Sequence, residues 1–304
     1  MPVPQIASAH DKMLDRRVSN IFDNKLKALP NMRDLLFNVR TARKGADERF
    51  VQQGELGDLQ PFDGQVNYDS FNQGYQVIAT HKEYTNGMQI GRTLIDDDLF
   101  NQIERSPAKL ARSTHRSLET FGARLLTMAF SNDTLFYVHS EGVPLCSNSH
   151  TTTSGASTSV GFDNLGTAAL SATAVASNRI QMRGFRGDRG ERINVSPDEI
   201  WISPENYETA YEIVSSLGKV NTSENNPNVH YGQYNINEWN YMSDANDWFM
   251  IDGEARTDNA MWFNRIPVEF ANTSEFDTFN RKWRVYVRFS YAWVDWRWIM
   301  GNSV

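Results

Sequence analysis

The fold is decided by residues 49–92, which have the sequence RFVQQGELGDLQPFDGQVNYDSFNQGYQVIATHKEYTNGMQIGR. Apolar residues are spread thinly among Gln, Asn, Asp and Gly, and Asn86-Gly87 is a dipeptide typical of a tight hairpin turn. The stretch predicts a long β-hairpin that buries almost nothing of its own. Because an isolated two-stranded hairpin is marginally stable in water, we expect it to lie on another subunit. The pattern indicates assembly rather than chemistry.

The composition excludes several classes of protein. The chain has 304 residues, of which 40% are apolar, so it can hold one large or two ordinary domains with a real core. The single cysteine, Cys146, excludes an internal disulfide framework and a cysteine-rich zinc site, and fits a reducing compartment. Neither a signal peptide nor an apolar run of about 20 residues is present, which predicts a soluble, unexported protein with no membrane partner.

Charge is distributed unevenly along the sequence. Residues 1–49 carry ten Lys/Arg against six Asp/Glu, while residues 198–280 carry fifteen Asp/Glu against three Lys/Arg. A basic segment can lie on an acidic neighbour or face nucleic acid, but this excess of positive charge is too small to indicate duplex binding by itself. Several acidic blocks meeting at a symmetry axis would repel one another unless salt or ion pairing offsets the charge.

Helical patterning is expected on both sides of the hairpin. Loose patterns at 11–29 and 32–43 are separated by Pro30, and Asp96-Asp97-Asp98 is expected to open a short helix. Ser106 and Pro107 have the cap-plus-proline arrangement of a helix start, followed by apolar residues at steps of three and four. We therefore predict a long amphipathic helix at about 107–130.

The second half alternates loops, helices and strands. Residues 131–162 are rich in Ser, Thr and Gly and predict a loop or a segment ordered by contacts, and Ser171 predicts the cap of a helix at 172–184. A buried strand is predicted at 199–203 and a further helix from Ser203-Pro204, and residues 283–293 alternate as one long strand. The inward positions predicted for the helix after Pro204 are Tyr207, Ala210, Tyr211, Val214 and Leu217.

Candidates for chemistry are weak. The histidines His81, His115, His139 and His150 form no recognised metal-binding motif. As a catalytic nucleophile and base, Cys146 and His150 lack a third group to orient them. The acidic run Asp96–Asp98 is better explained by helix capping than by Mg²⁺ binding. The glycine-rich stretch at 184–191 lacks the Lys-Ser/Thr ending of a phosphate-binding loop. We expect no catalytic residue, no metal site and no cofactor.

Five stretches follow one another along the chain: HKEYTNGMQIGRTLIDDD at 81–98, GVPLCSNSH at 142–150, EIWISPENYETAYEIVSS at 199–216, NNPNVHYG at 225–232 and NDWFMID at 246–252. Taken in this order, they resemble the major capsid proteins of tailed bacteriophages, which have the Hong Kong 97-like fold and include the Mu-like major head subunits. The resemblance spans about residues 49–300 and depends on the order and spacing of the stretches.

The resemblance implies an α+β fold with four parts. These are an N-terminal arm at 1–48, an extended loop at 49–92, a peripheral domain at 93–195 plus 281–304 that contains the spine helix, and an axial domain at 196–280. It implies hexamers and pentamers that build an icosahedral shell around double-stranded DNA. The implied partners are other copies of the chain, a scaffolding protein, a portal and decoration proteins. The implied location is the virion, after synthesis in the host cytoplasm.

Some relatives cross-link subunits through a lysine of the extended loop, which makes Lys82, the only lysine between Gly45 and Ala108, the candidate by position. Two alternatives remain. One is an encapsulin-like compartment shell that holds enzyme cargo. The other is a glycan-binding or hydrolytic protein that uses Trp239, Trp248 or Trp262 together with exposed carboxylates.

Overall fold

The computed structural model describes residues 7–42, 44–54, 56–62, 64–97, 102–218, 226–275 and 277–304. The helices are α1 Ala7–Lys27, α2 Arg33–Leu36, α3 Arg92–Asp96, α4 Gln102–Thr127, α5 Ala172–Met182, α6 Tyr207–Ser215 and α7 Gly253–Asn259, and a 3-10 turn at Pro204–Asn206 precedes α6. The strands are β1 Asn38–Thr41, β2 Asp47–Gln53, β3 Gln73–Thr80, β4 Lys82–Ile90, β5 Tyr137–His139, β6 Leu165–Gly166, β7 Glu199–Ile202, β8 Asn235–Glu238, β9 Trp248–Ile251, β10 Ala260–Ser274, β11 Arg281–Trp293 and β12 Ile299–Asn302. No helix in this part of the chain is long and apolar enough to cross a membrane.

The largest strand pair is formed by β10 and β11, in a four-stranded sheet of order β1-β10-β11-β4. The alternation predicted for the last long strand is confirmed, since every second residue from Trp283 to Trp293 is buried. Pro267 lies where the β10–β11 register shifts, as expected for a residue that cannot donate a backbone hydrogen bond to the sheet.

Two helices cover one face of this sheet. Leu110 and Ala111 of α4 pack with Val285, so the long helix lies on the terminal strand as predicted. The helix begins at Gln102 rather than at about 107, which places Pro107 inside it, and it ends at Thr127 rather than 130. Ser106 is therefore not the cap, because the preceding turn is already helical.

The basic N-terminal segment packs on its own chain. Phe22 of α1 stacks on Phe270 with ring centroids 4.8 Å apart, and Val18 is buried beside Ile90 and Trp283. Residues 38–41, predicted to be helical, instead form β1 and pair in parallel with β10. These residues therefore gain stability from contacts within their own chain.

The polar stretch is not one hairpin closed at Asn86-Gly87. That dipeptide lies inside β4, where Asn86 pairs with Val285 and Gly87 with Arg284. The hairpin consists of β2 and β3, which join β5 in a three-stranded sheet, and β4 leaves for the four-stranded sheet after His81. The turn prediction failed because cross-strand pairing with β11 overrides a local dipeptide preference.

A five-stranded sheet of order β6-β12-β9-β7-β8 forms the second large layer. The predicted strand at 199–203 is confirmed as β7, and the stretch at 246–252 contains β9. Both strands are buried throughout. This sheet includes β12, and β10 belongs to the other large sheet, so neither sheet follows the boundary at 280/281.

The predictions for the shorter helices are confirmed in part. Ser171 caps α5 by accepting a hydrogen bond from the amide of Ala174, as predicted. Ala210 and Val214 face inward, but Tyr207, Tyr211 and Leu217 are exposed, because Ile213 takes the inward position beside Val214. Asp96 and Asp97 do not open a helix, because α3 ends at Asp96 and Asp97 follows its last turn. Asp98 lies outside the described residues.

Aromatic side chains fill the core between the helices and the four-stranded sheet. Phe289 lies at the centre, stacked on Trp262 at 4.5 Å and on Phe136 and Tyr84 at 5.3 Å each. Phe289 and Trp262 have no exposed surface. Such rings bury large areas, so this cluster contributes to the stability of the sheet.

Candidate functional site

The most unusual surface of the molecule is the loop between β2 and β3, residues 54–72. All of its described residues from 56 to 71 are exposed, and Leu59 is 101% exposed. The other large apolar side chains open to solvent here are Leu56 (47%), Phe62 (77%), Val66 (64%), Tyr68 (89%) and Phe71 (55%). Several exposed apolar side chains in one loop are typical of an interaction site, so this loop is the candidate functional site.

The local sequence explains why the loop does not continue the hairpin. Pro61 lacks the amide that a strand pair needs, and Gly64 has φ of 107°, a conformation that favours glycine. The loop narrows at its base, where the Gly54 amide donates to Asn72 O at 2.9 Å. Apolar residues between these turn-forming residues therefore have no sheet to bury them.

An ion pair fixes one side of the loop to the rest of the chain. The Arg189 guanidinium donates to Asp69 Oδ2 at 2.6 Å and to the carbonyl oxygen of Ser70 at 2.6 Å. The same carboxylate accepts from the amides of Gly57 and Ser70, both at 2.8 Å. Arg189 and these two amides lower the pKa of Asp69 to about 2.

The Ser/Thr-rich segment after β5 supports the base of the loop. Thr153 donates to the carbonyl oxygen of Gln73 at 2.9 Å, and Tyr75 and Thr151 share a hydroxyl hydrogen bond. Thr152 donates to the carbonyl oxygen of Asp188 at 2.8 Å, beside Arg189. This segment, predicted to be a loop or to be ordered by contacts, is held by side-chain hydrogen bonds that stabilise the position of Arg189.

A group of hydrogen bonds at Glu119 connects the long helix to distant parts of the chain. Glu119 of α4 is 2% exposed and accepts hydrogen bonds from the amides of Met32 and Arg33 at 3.2–3.4 Å. It also accepts from Trp239 Nε1 at 3.0 Å. Burial raises the pKa of this carboxyl, against the smaller lowering effect of its hydrogen bonds. Glu119 therefore holds the start of α2 and the loop after β8 on one helix.

The histidines considered for chemistry occupy structural positions. His81 Nδ1 lies 2.9 Å from Ser290 Oγ, His115 Nε2 donates to the carbonyl oxygen of Pro30 at 2.7 Å, and the His139 ring stacks on Trp293 at 4.0 Å. Burial lowers the pKa of both His81 and His139. No group of three His, Cys, Asp or Glu side chains suited to a metal occurs in the described ranges.

Cys146 and His150 do not form a nucleophile and base. The thiol is 1% exposed and burial raises its pKa. Both ring nitrogens of His150 face other atoms, Glu141 Oε1 at 3.2 Å and the carbonyl oxygen of Leu145 at 3.3 Å. The pair is part of the packed core.

The tryptophans considered for glycan binding are inside the protein. Trp239 is 1% exposed, and Trp248 and Trp262 have no exposed surface. The side chains of Trp248 and Trp262 donate to Ala168 O and Asn264 Oδ1, each at 2.9 Å. A sugar ring has no access to them, which removes the feature that supported the glycan-binding alternative.

Lys82 is exposed on β4, where it pairs with Phe289. It lies after the turn at His81 and outside the loop at 54–72. The candidacy of Lys82 for cross-linking rests on its position in the resemblance alone.

The model of the family described as phage capsid protein matches residues 74–300, which is most of the chain. The chain belongs to the phage capsid protein family. It is a capsid shell protein, and the family predicted from the order of five sequence stretches is confirmed. No curated protein sequence matches the chain significantly.

Solved structures show the same fold at low sequence identity. The capsid protein is similar to a chain of the mature capsid of bacteriophage PhiM1, with a TM-score of 0.58 and 9% identity over 90% of this chain and 87% of that one. For a capsid chain of the native GTA particle the TM-score is 0.55, with 10% identity over 91% of this chain and 92% of that one. For a procapsid chain of bacteriophage JBD30 the TM-score is 0.54, with 14% identity over 98% of this chain and 76% of that one. The fold is the Hong Kong 97-like capsid fold that the sequence predicted.

Sequence reasoning located the loop but missed what holds it. Residues 184–191 were considered only as a possible phosphate loop, although Arg189 there contacts Asp69. The absence of any Lys or Arg between Gly54 and Thr80 is a signal that points to a basic partner for this stretch.

Proposed function

We propose that copies of this capsid protein assemble as hexamers and pentamers into a closed icosahedral shell that encloses double-stranded DNA. The observation that carries the proposal is the apolar surface of loop 54–72, which no other part of the described chain covers. Burying one such side chain is worth about 1.5–3 kcal/mol, so a contact with a neighbour would be favourable at each loop. Closed symmetry provides every loop with such a neighbour.

The sheets suggest how the subunit is divided in the shell. We propose that the extended loop reaches a neighbour, that the four-stranded sheet with α1 and α4 forms the peripheral part, and that the five-stranded sheet forms the axial part. In this division β10 belongs to the peripheral part and β12 to the axial part, because each strand is assigned with the sheet in which it pairs. The arm at 1–48 then belongs to the peripheral part through α1 and β1.

Electrostatics supports a salt-dependent assembly. The block at 198–280 has fifteen Asp/Glu and three Lys/Arg, so neighbouring copies repel where these blocks approach. Salt reduces this repulsion because the Debye length falls to about 8 Å at physiological ionic strength. DNA would be held by non-specific contact, and a scaffolding protein, a portal and decoration proteins are the other partners we propose in the virion.

Expression of the chain alone and with its neighbouring genes, followed by negative-stain electron microscopy, tests the proposal. We expect closed shells, rings or capsomer-sized tubes, and nuclease-protected DNA inside shells from an infection. A compact monomer under both conditions would contradict shell assembly. Shells that contain enzyme cargo and no DNA would instead support the encapsulin-like alternative.

A further inference from the structure

One face of the four-stranded sheet is open at one end. The helices α1 and α4 cover the face that carries Trp283 and Val285. The opposite face is covered near Phe263 and Ser290 by Phe50 and His81, but lies towards solvent at residues 282–288 of β11 and their partners in β4 and β10. On that open face Arg284 stands between Gly87 of β4 and Ala271 of β10 in the strand register. Because neither neighbour has a long side chain, a groove of about 640 Å³ surrounds the row.

Arg284 differs from the other cations on this face. Lys282 is 2.6 Å from Glu275, and Arg288 is 3.7 Å from Glu83. Arg284 is exposed and has no ion pair with any residue that the structure describes. The groove therefore combines an accessible guanidinium with a floor of small residues, which suits a carboxylate next to an apolar side chain.

The loop of the same chain carries that combination. Between Gly54 and Thr80 the sequence has four Asp/Glu and no Lys or Arg. Asp58 is exposed and adjacent to the fully exposed Leu59, and Asp69 is already held by Arg189. Among the residues of the loop that the structure describes, Asp58 and Leu59 therefore form the acidic and apolar pair that remains available.

We propose that Asp58 and Leu59 of one copy dock in the groove around Arg284 of a second copy. The carboxylate of Asp58 binds the guanidinium, and the Leu59 side chain covers the surface left open by Gly87 and Ala271. This inference rests on the proposed shell function and specifies which face of the neighbour receives the loop. The contact is heterologous, so it propagates from copy to copy around a ring.

Charge exchange tests the contact. We expect Arg284→Glu alone and Asp58→Arg alone to reduce the yield of sedimenting particles by about tenfold or more, because like charges then meet at the docking point. The double variant Arg284→Glu with Asp58→Arg restores the attraction, and its yield returns to within about twofold of the wild type. Particles are counted by sedimentation and negative-stain microscopy.

A mismatched pair is the control. Asp258 is an exposed residue of α7, and Arg284→Glu with Asp258→Arg has the same net charge as the rescuing pair. We expect no rescue from it. Equal yields for both double variants, or a wild-type yield for Arg284→Glu alone, would overturn the docking site while leaving the shell function intact. Failure of the wild type to assemble would contradict the shell function itself.

Disulfide trapping gives a second measurement that does not depend on reversing a charge. Cys146 is buried, so Leu59→Cys combined with Ala271→Cys places two accessible thiols on the proposed partners. After oxidation of assembled particles, we expect a ladder of linked subunits on a non-reducing gel, and only monomer from either single variant. Monomer alone from the double variant in closed particles would overturn the proposal.

Discussion

The Asp69 carboxylate lies 2.6 Å from the Arg189 guanidinium, across 120 residues of sequence. This pair fixes one side of an otherwise exposed loop to the glycine-rich turn before β7. We predict that Arg189→Ala makes the loop more mobile and raises the rate of chymotrypsin cleavage near Phe62 and Tyr68 severalfold. Arg192→Ala, in the same turn, is the matched control. Equal cleavage rates for the two variants would show that the pair does not hold the loop.

The same pair predicts a pH dependence. The folded-state pKa of Asp69, about 2, is below its usual value of 3.8, so the stabilisation is present above pH 3.8 and is lost as the pH falls towards 2. In carboxyl ¹³C NMR of unassembled subunits, we expect Asp69 to remain mostly ionised at about pH 3. In Arg189→Ala its titration moves up towards 3.8. An unchanged titration curve in the variant would argue against the ion pair.

Glu119 is predicted to stabilise through its hydrogen bonds rather than its charge. Glu119→Leu leaves the amides of Met32 and Arg33 and the Trp239 side chain without an acceptor, and we expect a loss of about 3 kcal/mol in the free energy of unfolding. Glu119→Gln keeps an acceptor, so it costs less. Urea unfolding of both variants measures the difference, and equal losses would contradict the acceptor role.

Glu119 also has a pH signature of opposite sign to that of Asp69. Burial raises its folded-state pKa above the unfolded value of 4.5, so the folded state binds the proton more readily. We therefore expect the wild type to gain stability relative to Glu119→Gln as the pH falls through the folded pKa. A stability difference that is independent of pH would contradict the raised pKa.

Phe289 is the predicted centre of the core. Its ring contacts Trp262, Phe136 and Tyr84 and has no exposed surface, so Phe289→Ala is expected to cost about 4 kcal/mol. Ile180→Ala, at a side chain that is 73% exposed, should change stability by less than about 0.5 kcal/mol. Thermal unfolding monitored by circular dichroism compares the two. A small effect at Phe289 would mean that the aromatic cluster repacks.

Lys82 is expected not to link subunits covalently. It lies on β4 and outside the loop that carries the exposed apolar residues. Particles boiled in detergent should therefore migrate as a single monomer band. Higher bands that disappear in Lys82→Arg would instead assign it a cross-linking role.

Periodic sequence patterns predicted the strands and helices that have one buried face. Pairing between distant strands determined the elements that the sequence did not predict. The alternation from Trp283 to Trp293 and the steps of the long helix were read correctly because one face of each element is buried. Asn86-Gly87 was misread as a turn, since nothing local reveals that β11 pairs with it. Likewise β1 has no alternation, and only its parallel partner β10 makes it a strand.

The candidate site was predictable in position but not in its contacts. The loop follows from a polar stretch with Pro61 and several glycines, whereas the ion pair of Asp69 with Arg189 joins segments that no spacing rule connects. The exposure of Tyr207 and Tyr211 was missed because an apolar stripe does not say which of its members the fold leaves outside.

Because β12 lies inside the five-stranded sheet, the sheet is complete only after residues 299–302 have been synthesised. Residues 299–302 pair with β9 on one side and β6 on the other, so they occupy an interior place in the five-stranded sheet. A nascent chain that has reached only Trp298 leaves the edge of β9 bare, with its amides and carbonyls unpaired. The sheet closes only when these residues emerge from the ribosome. Until residues 299–302 are added, the five-stranded sheet is incomplete and β9 has a strand edge that can pair with another chain.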